Sequence, residues 1–112
     1  MMSYEKLDVY KCAIEFLGIC MQTVDEMPKG NAQFIDQLKR AAMSIPLNIA
    51  EGAGKKSRSD CKRFFVIARG SAMECGAILD VAYKLHLANQ DRVIVGKRLL
   101  ERIVAMLTKL AM

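Results

Sequence analysis

The chain of 112 residues contains no tryptophan, one histidine and two prolines, and these scarcities exclude several classes of protein. No segment alternates β-branched or aromatic residues with polar ones, so no strand is predicted. A di-iron bundle needs a Glu-x-x-His motif, but the residue three positions before His86 is Tyr83. No phosphate-binding glycine motif is present either, because Gly52-Ala53-Gly54 lacks the further glycine and the preceding strand.

The cysteines are arranged neither for metal binding nor for catalysis. The four cysteines, Cys12, Cys20, Cys61 and Cys75, include no C-x-x-C pair. A structural zinc site needs three or four closely spaced ligands, and a cysteine nucleophile needs a partner histidine. We therefore expect no metal site, no cofactor and no enzymatic activity. The cysteines are predicted to be reduced residues packed on helix faces.

Long apolar runs are also missing. The longest uncharged run near the centre, Ala41 to Ala50, has ten residues, whereas a membrane-spanning helix needs about 20. The N-terminal stretch MMSYEKLDVYKC is charged throughout and is not followed by an apolar region, so no signal peptide is predicted. We expect a soluble, cytoplasmic protein without a membrane partner.

The residues that are abundant favour helix. Apolar residues make up 53% of the chain and charged residues 26%, which suits one domain with its own core, residues 1–112. Apolar periodicity and breaker residues predict four helices, at about 6–27, 31–52, 58–88 and 91–111. Because short loops make neighbouring helices antiparallel, the predicted fold is all-α, an up-down-up-down four-helix bundle.

Individual residues predict where these helices begin, bend and pack. In the first helix Leu7, Tyr10, Ile14, Leu17, Met21 and Val24 follow heptad spacing and should face the core, with Ser3 as N-cap. Pro46 should kink the second helix, and the alternative is two shorter helices. Ser57 and Asp60 form a predicted capping box for the third helix, and Asn89 or Asp91 caps the fourth.

The apolar surface is wider than one bundle needs. The third helix carries a second apolar row at Phe65, Ala72 and Leu79, beside its main row. Extra apolar faces often mark subunit interfaces, so we predict a homo-oligomer. The alternative is a broad face buried within one chain.

Positive charge is concentrated in the basic segment, which we define as residues 55–63. The formal net charge is +5, and Lys55, Lys56, Arg58, Lys62 and Arg63 all lie in this segment with only Asp60 among them. Cations at a helix start oppose the helix dipole, and the free N–H groups there suit an anion. These five residues are therefore predicted to bind phosphate, the alternative being a solvated charged face. With no aromatic platform among them, recognition should rest on shape and charge.

Further polar residues allow other interpretations. Lys39 and Arg40 should lie far from Lys62 along the bundle, as a second basic patch or as a contact with another subunit. Glu51 and Asn48 share a helical face and could form a buried polar pair. A structural ion pair of Arg69 with Glu51 or Glu74 is a further expectation.

The segment QLKRAAMSIPLNIAEGAGKKSRSDCKRFF, followed by IARGSAMEC, resembles the bundle proteins encoded by intervening sequences within bacterial 23S ribosomal RNA genes. The opening YEKLDVYKCAIEF is similar to the start of that family, and SIPLNIAEGAGKKS with RGSAME is the most specific part. The residues that match the family motif are Arg40, Asn48, Glu51, Gly52, Gly54, Ser57, Arg69, Gly70, Ser71 and Glu74.

The resemblance carries its own implications. It implies a four-helix subunit, commonly in a ring-shaped homopentamer, with a basic surface and no known enzymatic activity. Among the matched residues, Asn48, Glu51, Gly52, Gly70 and Ser71 are interpreted as architectural. A related group, the accessory variability determinant of diversity-generating retroelements, looks like the same bundle and binds nucleic acid and a reverse transcriptase.

Two hypotheses follow from the sequence. The first is a non-enzymatic oligomer that binds structured RNA through the basic segment, with Lys39 and Arg40 in support. The alternative is a protein-interaction scaffold, such as a reverse-transcriptase accessory protein, in which the charges serve solubility and docking.

Overall fold

The computed structural model describes all residues, 1–112, and contains four α-helices and no strand. The helices are α1 (Asp8–Asp25), α2 (Ala32–Ala53), α3 (Arg58–Lys84) and α4 (Gln90–Leu110), preceded by a short 3₁₀ helix at Ser3–Lys6. The molecule measures 44 × 22 × 21 Å, as expected for helices about 30–40 Å long that lie side by side. The prediction of an all-α protein with four helices is confirmed. No helix is long and apolar enough to cross a bilayer.

Each helix lies beside two neighbours, and the diagonal helices meet only through side chains in the shared core. α1 contacts α2 and α4, and α3 contacts the same two helices. Lys97 of α4 lies 2.6 Å from the Asp80 carboxylate of α3. Between α1 and α4, Arg92 of α4 donates to the Glu26 carboxylate at 2.8 Å and to the Gln22 side chain at 3.0 Å. The bond from Arg92 lowers the pKa of Glu26. The helices therefore form a square in cross-section.

The core face of α1 differs from the predicted heptad face. Ile14 is 44% exposed, and Tyr10, Leu17 and Met21 are half-buried. The buried positions are Val9, Cys12, Ala13, Phe16, Cys20, Thr23 and Val24. The sequence offers two overlapping apolar rows about 100° apart on the helix. The core takes the row in which small residues surround Phe16, because small side chains let neighbouring helices approach.

Two expectations about helix boundaries are corrected. Ser3 does not cap α1, because it belongs to the 3₁₀ helix and Leu7 holds the N-cap position. α2 runs unbroken from Ala32 to Ala53 with Pro46 buried inside it, so the alternative of two shorter helices is wrong. The N-caps of the later helices are those the sequence indicated: Ser57 accepts from the Asp60 amide, and Asn89 accepts from the Arg92 amide. The return bond from the Asp60 carboxylate to the Ser57 amide, which would complete the predicted capping box, is not formed.

α3 ends at Lys84, four residues before the predicted end, and the single histidine explains why. His86 has φ 60°, in the left-handed region, where His is more common than most non-glycine residues. The Leu87 amide donates to the Ala82 carbonyl at 2.8 Å, and the His86 amide donates to the Tyr83 carbonyl at 3.1 Å. This pair of bonds is a Schellman motif, which usually has glycine at the left-handed position. The stop was missed because no glycine marks it.

The second apolar row of α3 lies in the core. Phe65, Ala72 and Leu79 are 7%, 1% and 2% exposed, so they are not the subunit surface that the sequence suggested. The exposed apolar residues of α3 lie on its outer side, where Val66 and Met73 are each 56% exposed. The bundle thus does have spare apolar surface, but at other positions.

The cysteines divide into three buried thiols and one accessible thiol. Cys12, Cys20 and Cys75 are buried, whereas Cys61 is partly exposed. Burial raises the pKa of Cys20 to about 11 and that of Cys75 to about 12. Both thiols therefore stay protonated, and unreactive, near neutral pH.

Gly52→Ala should lower the free energy of unfolding by about 1–3 kcal/mol, because its Cβ overpacks the α2–α3 contact. That Cβ would lie 2.8 Å from Phe65 Cε1 and 3.1 Å from the Cys61 carbonyl oxygen. Urea denaturation followed by circular dichroism measures the change. Gly70→Ala is the control for the gain in helix propensity, since a Cβ at Gly70 meets nothing within 4 Å and should raise the free energy of unfolding by about 0.5–1 kcal/mol. Equal stability of Gly52→Ala and the wild type would contradict this close approach.

A thiol reagent at about pH 8 should modify one cysteine rapidly in the folded protein and all four after unfolding, because only an accessible thiolate reacts. Absorbance of the released chromophore counts the modified thiols. Cys61→Ser should abolish the fast phase, since Cys61 is the accessible thiol. A fast phase that persists in Cys61→Ser would mean that a thiol of the core is exposed.

Candidate nucleic-acid interface

The basic segment connects α2 to α3 at one end of the bundle. α2 ends with Gly54 as C-cap, and the Ser57 side chain caps α3 by accepting from the Asp60 amide at 3.1 Å. Immediately before this turn, Gly52 lies against the Phe65 ring. The two helices therefore approach each other closely where the basic segment joins them. This packing fixes the short connection that carries the cations.

Acidic neighbours compensate only two of the five cations. Lys55 lies 3.5 Å from the Glu51 carboxylate, and Arg63 lies 3.8 Å from the Asp60 carboxylate. All four side chains are well exposed, and exposed pairs of this kind contribute little binding energy. The other three cations, Lys56, Arg58 and Lys62, have no carboxylate within 4 Å. Excess positive charge therefore remains on this surface.

An aromatic ring lies among these cations, contrary to the sequence expectation. The Lys55 ammonium is 5.1 Å and the Arg63 guanidinium carbon 4.8 Å from the centre of the Phe64 ring. Both distances fall within the range of cation–π attraction. The partly exposed Phe64 ring therefore holds one cation from each side of the α2–α3 connection near a common point.

The end of α4 reaches the same surface. Arg58 donates to the Met112 carbonyl at 3.1 Å, which connects the first residue of α3 to the C-terminal residue. Lys109 lies in the last turn of α4, three residues before Met112. Sequence patterns do not group Lys109 with the basic segment, because only the fold brings the end of α4 next to Arg58.

The structure does not bring Lys39 and Arg40 to this surface. Arg40 precedes Lys55 by fifteen residues, or roughly 22 Å along α2. Lys39 is partly buried on the α1 side, where its charge acts on the Cys20 thiol. Arg40 is exposed on the α3 side, next to Ser71 and Glu74. The two residues therefore face different neighbours and do not form one patch with the basic segment.

The expected buried pair of Asn48 and Glu51 is wrong. Glu51 is exposed and pairs with Lys55. The Asn48 amide instead donates to the Ser44 carbonyl at 2.8 Å and to Ser44 Oγ at 2.9 Å. Ser44 Oγ in turn lies 2.7 Å from Ser71 Oγ across the α2–α3 contact. Asn48 and Ser71 thus join a polar cluster through Ser44, a residue that the sequence did not single out.

Arg69 and Gly70 also differ from their expected surroundings. The Arg69 Nε donates to Thr108 Oγ1 of α4 at 2.8 Å, so its partner is neither Glu51 nor Glu74. Gly70 is exposed, and no atom of the chain would contact a Cβ placed there. Gly52 has the close contact that an architectural glycine requires, whereas the fold of the single chain gives no such reason for Gly70.

Comparison with known families assigns the chain. No curated protein matches it. The family described as 23S rRNA-intervening sequence protein matches residues 5–109, which includes α1, α2, α3, all but the last residue of α4, and the whole basic segment. Because this match covers nearly the entire chain, the protein belongs to the 23S rRNA-intervening sequence protein family.

Proposed function

We propose that this protein is a non-enzymatic, self-assembling bundle that binds structured RNA by contacts from the basic segment to phosphate groups. The observation that carries the proposal is the group of five cations around the α2–α3 connection, three of which have no carboxylate partner. Such uncompensated charge beside a helix N-terminus suits a phosphate backbone. The proposed topology is antiparallel, and the proposed assembly is a ring-shaped homopentamer.

Assembly would multiply a modest charge. One chain carries a formal net charge of +5, and five chains carry about +25. A single basic segment can neutralise only a few phosphates, so one subunit should bind RNA weakly. Several basic segments on one assembly engage the same RNA with a higher effective affinity, provided that they reach it together.

The contacts within the basic segment favour phosphate and shape recognition over base readout. Arg58 and Arg63 are each engaged by a protein group, and Lys55 lies over the Phe64 ring. Lysine binds phosphate as a point charge without the fixed fork geometry that reads a base edge. We therefore propose Lys56 and Lys62 as the principal phosphate contacts, with the other three cations beside them. Lys39 and Arg40, by their position, would add to binding only if the RNA also followed the side of the bundle.

RNA affinity should fall steeply with salt, and replacing the five cations of the basic segment by alanine should remove most of this dependence. Fluorescence anisotropy with a labelled fragment of structured ribosomal RNA measures affinity at several salt concentrations. For the wild type, we expect a plot of log affinity against log salt concentration to have a slope between about −3 and −5 for each basic segment that binds. The slope arises because each neutralised phosphate releases counterions.

A matched control removes the same charge elsewhere. Alanine at Lys11, Lys29, Lys84, Arg98 and Arg102, which lie outside the basic segment and have no ion pair, should keep most of the affinity. Both variants must retain helical circular dichroism. Equal loss in the two variants would show non-specific attraction to net charge. No RNA binding by the wild type at low salt would instead favour the protein-interaction scaffold, whose protein partner, held by apolar contacts, should stay bound at about 500 mM salt.

A further inference from the structure

A groove between α3 and α4 exposes apolar surface of a shape suited to side chains from another helix. Its volume is about 490 Å³, and small residues, including Gly76, Ala77 and Ala105, form much of its lining beside Met73 and Val104. Met73 is 56% exposed. Small residues in a groove leave space for larger side chains of a partner helix, as in ridge-into-groove packing. In a single chain this groove is open to solvent, so its apolar lining stays exposed to water.

The groove carries one uncompensated charge. Lys97 and Asp80, on opposite sides of it, are paired at 2.6 Å. Glu101 also lines the groove but has no cation within 4 Å. A partner that fills the groove must therefore bring apolar side chains and one positive charge at its edge.

The outer side of α2 has both features. Arg40, Met43 and Leu47 follow each other at i, i+3 and i+7, so they form one ridge on the helix, which we call the α2 ridge. Met43 is 48% and Leu47 59% exposed. Arg40 is exposed and has no carboxylate within 4 Å. The α2 ridge thus presents two large apolar side chains and one free cation.

We propose that the α2 ridge of one copy docks into the α3–α4 groove of a second copy, with Arg40 paired to Glu101 across the contact. The inference rests on the self-assembly within the proposed function and names the surfaces that produce it. The two surfaces differ, so the contact is heterologous and repeats from copy to copy, which closes a ring when the rotation permits. Arg40 is thereby assigned to subunit contact instead of RNA binding.

A contact between two identical α3–α4 grooves accounts for less. It would leave Met43 and Leu47 exposed, and it would bring no free cation to Glu101, because Lys97 is already paired with Asp80. Charge complementarity and the burial of Met43 and Leu47 therefore both favour the α2 ridge as the occupant.

Charge reversal tests the contact. Arg40→Glu and Glu101→Arg should each weaken self-association by at least about tenfold, because each places like charges together, and the double variant should return to within about threefold of wild type. Sedimentation velocity over a dilution series measures the dissociation constant. Arg102→Glu and Glu15→Arg reverse exposed, unpaired charges outside the contact and should leave association unchanged.

The outcomes separate this interface from the proposed assembly. If wild type assembles and the single reversals assemble equally well, or if the double variant is not rescued, this interface is overturned while assembly stands. A wild type that stays monomeric at every concentration overturns self-assembly itself. Met73→Lys provides a second test should a reversal lose its helical circular dichroism, since this exposed side chain also lines the groove. Salt-dependent RNA binding by the wild type and the basic-segment variant is measured separately, so failure of RNA binding and failure of this contact are distinguishable.

Discussion

The close approach of α2 and α3 at Gly52 is the constraint on which the basic surface depends. A side chain at this position would overlap the Phe65 ring and press on the Cys61 carbonyl. Glycine lets the end of α2 lie directly on the beginning of α3, so that the connection between the helices needs only residues 54–57. A short connection has little freedom, and the cations that follow Gly52 are therefore presented from a fixed turn. The price of glycine inside a helix is offset by this packing.

The connection between α2 and α3 also explains how five cations lie close together without disrupting the fold. Lys55 extends past the end of α2, where a cation interacts favourably with the helix dipole, and it also pairs with Glu51. Arg63 is farther into α3, beyond the first turn where the dipole effect is strong, and it lies over the Phe64 ring. These local contacts reduce the repulsion among the cations that lie within nine residues. They do not neutralise the segment, because exposed pairs contribute little and two lysines remain unpaired.

The sequence predicted the number and class of the helices because apolar periodicity, glycine, proline and serine marked most boundaries. It failed where two signals compete or where no marker exists. In α1 two apolar rows overlap, and only packing against the neighbouring helices decides that Phe16 faces the core and Ile14 does not. At the end of α3 a histidine adopts the left-handed conformation that glycine usually provides. Local periodicity reveals neither outcome, because the first depends on tertiary packing and the second lacks the glycine that usually marks such a stop.

The sequence predicts the five cations of the candidate site but not the residues that the fold brings next to them. Five cations in nine residues are visible in any sequence, whereas the approach of Met112 to Arg58 exists only in the folded chain. The position of Arg40 has the same origin: it lies on the outer side of α2, at the edge nearer α3, whereas the adjacent Lys39 lies on the α1 side, because residues one apart on a helix point about 100° away from each other. Two neighbouring cations can then serve different purposes. A cation on the outer side of α2 can pair with a second copy, while those at the end of the bundle remain free for phosphate.

If both contacts form, they reinforce each other without sharing a residue. A ring built from repeated side-to-side contacts between bundles places the same end of every bundle on the same side, because rotation about the ring axis does not invert the subunit. All basic segments would then face one direction. The affinity of such an array for a polyanion grows with the number of segments that engage together, whereas each segment keeps its own salt dependence. Loss of the side contact should therefore reduce the affinity for a long RNA far more than it reduces the salt dependence of each segment.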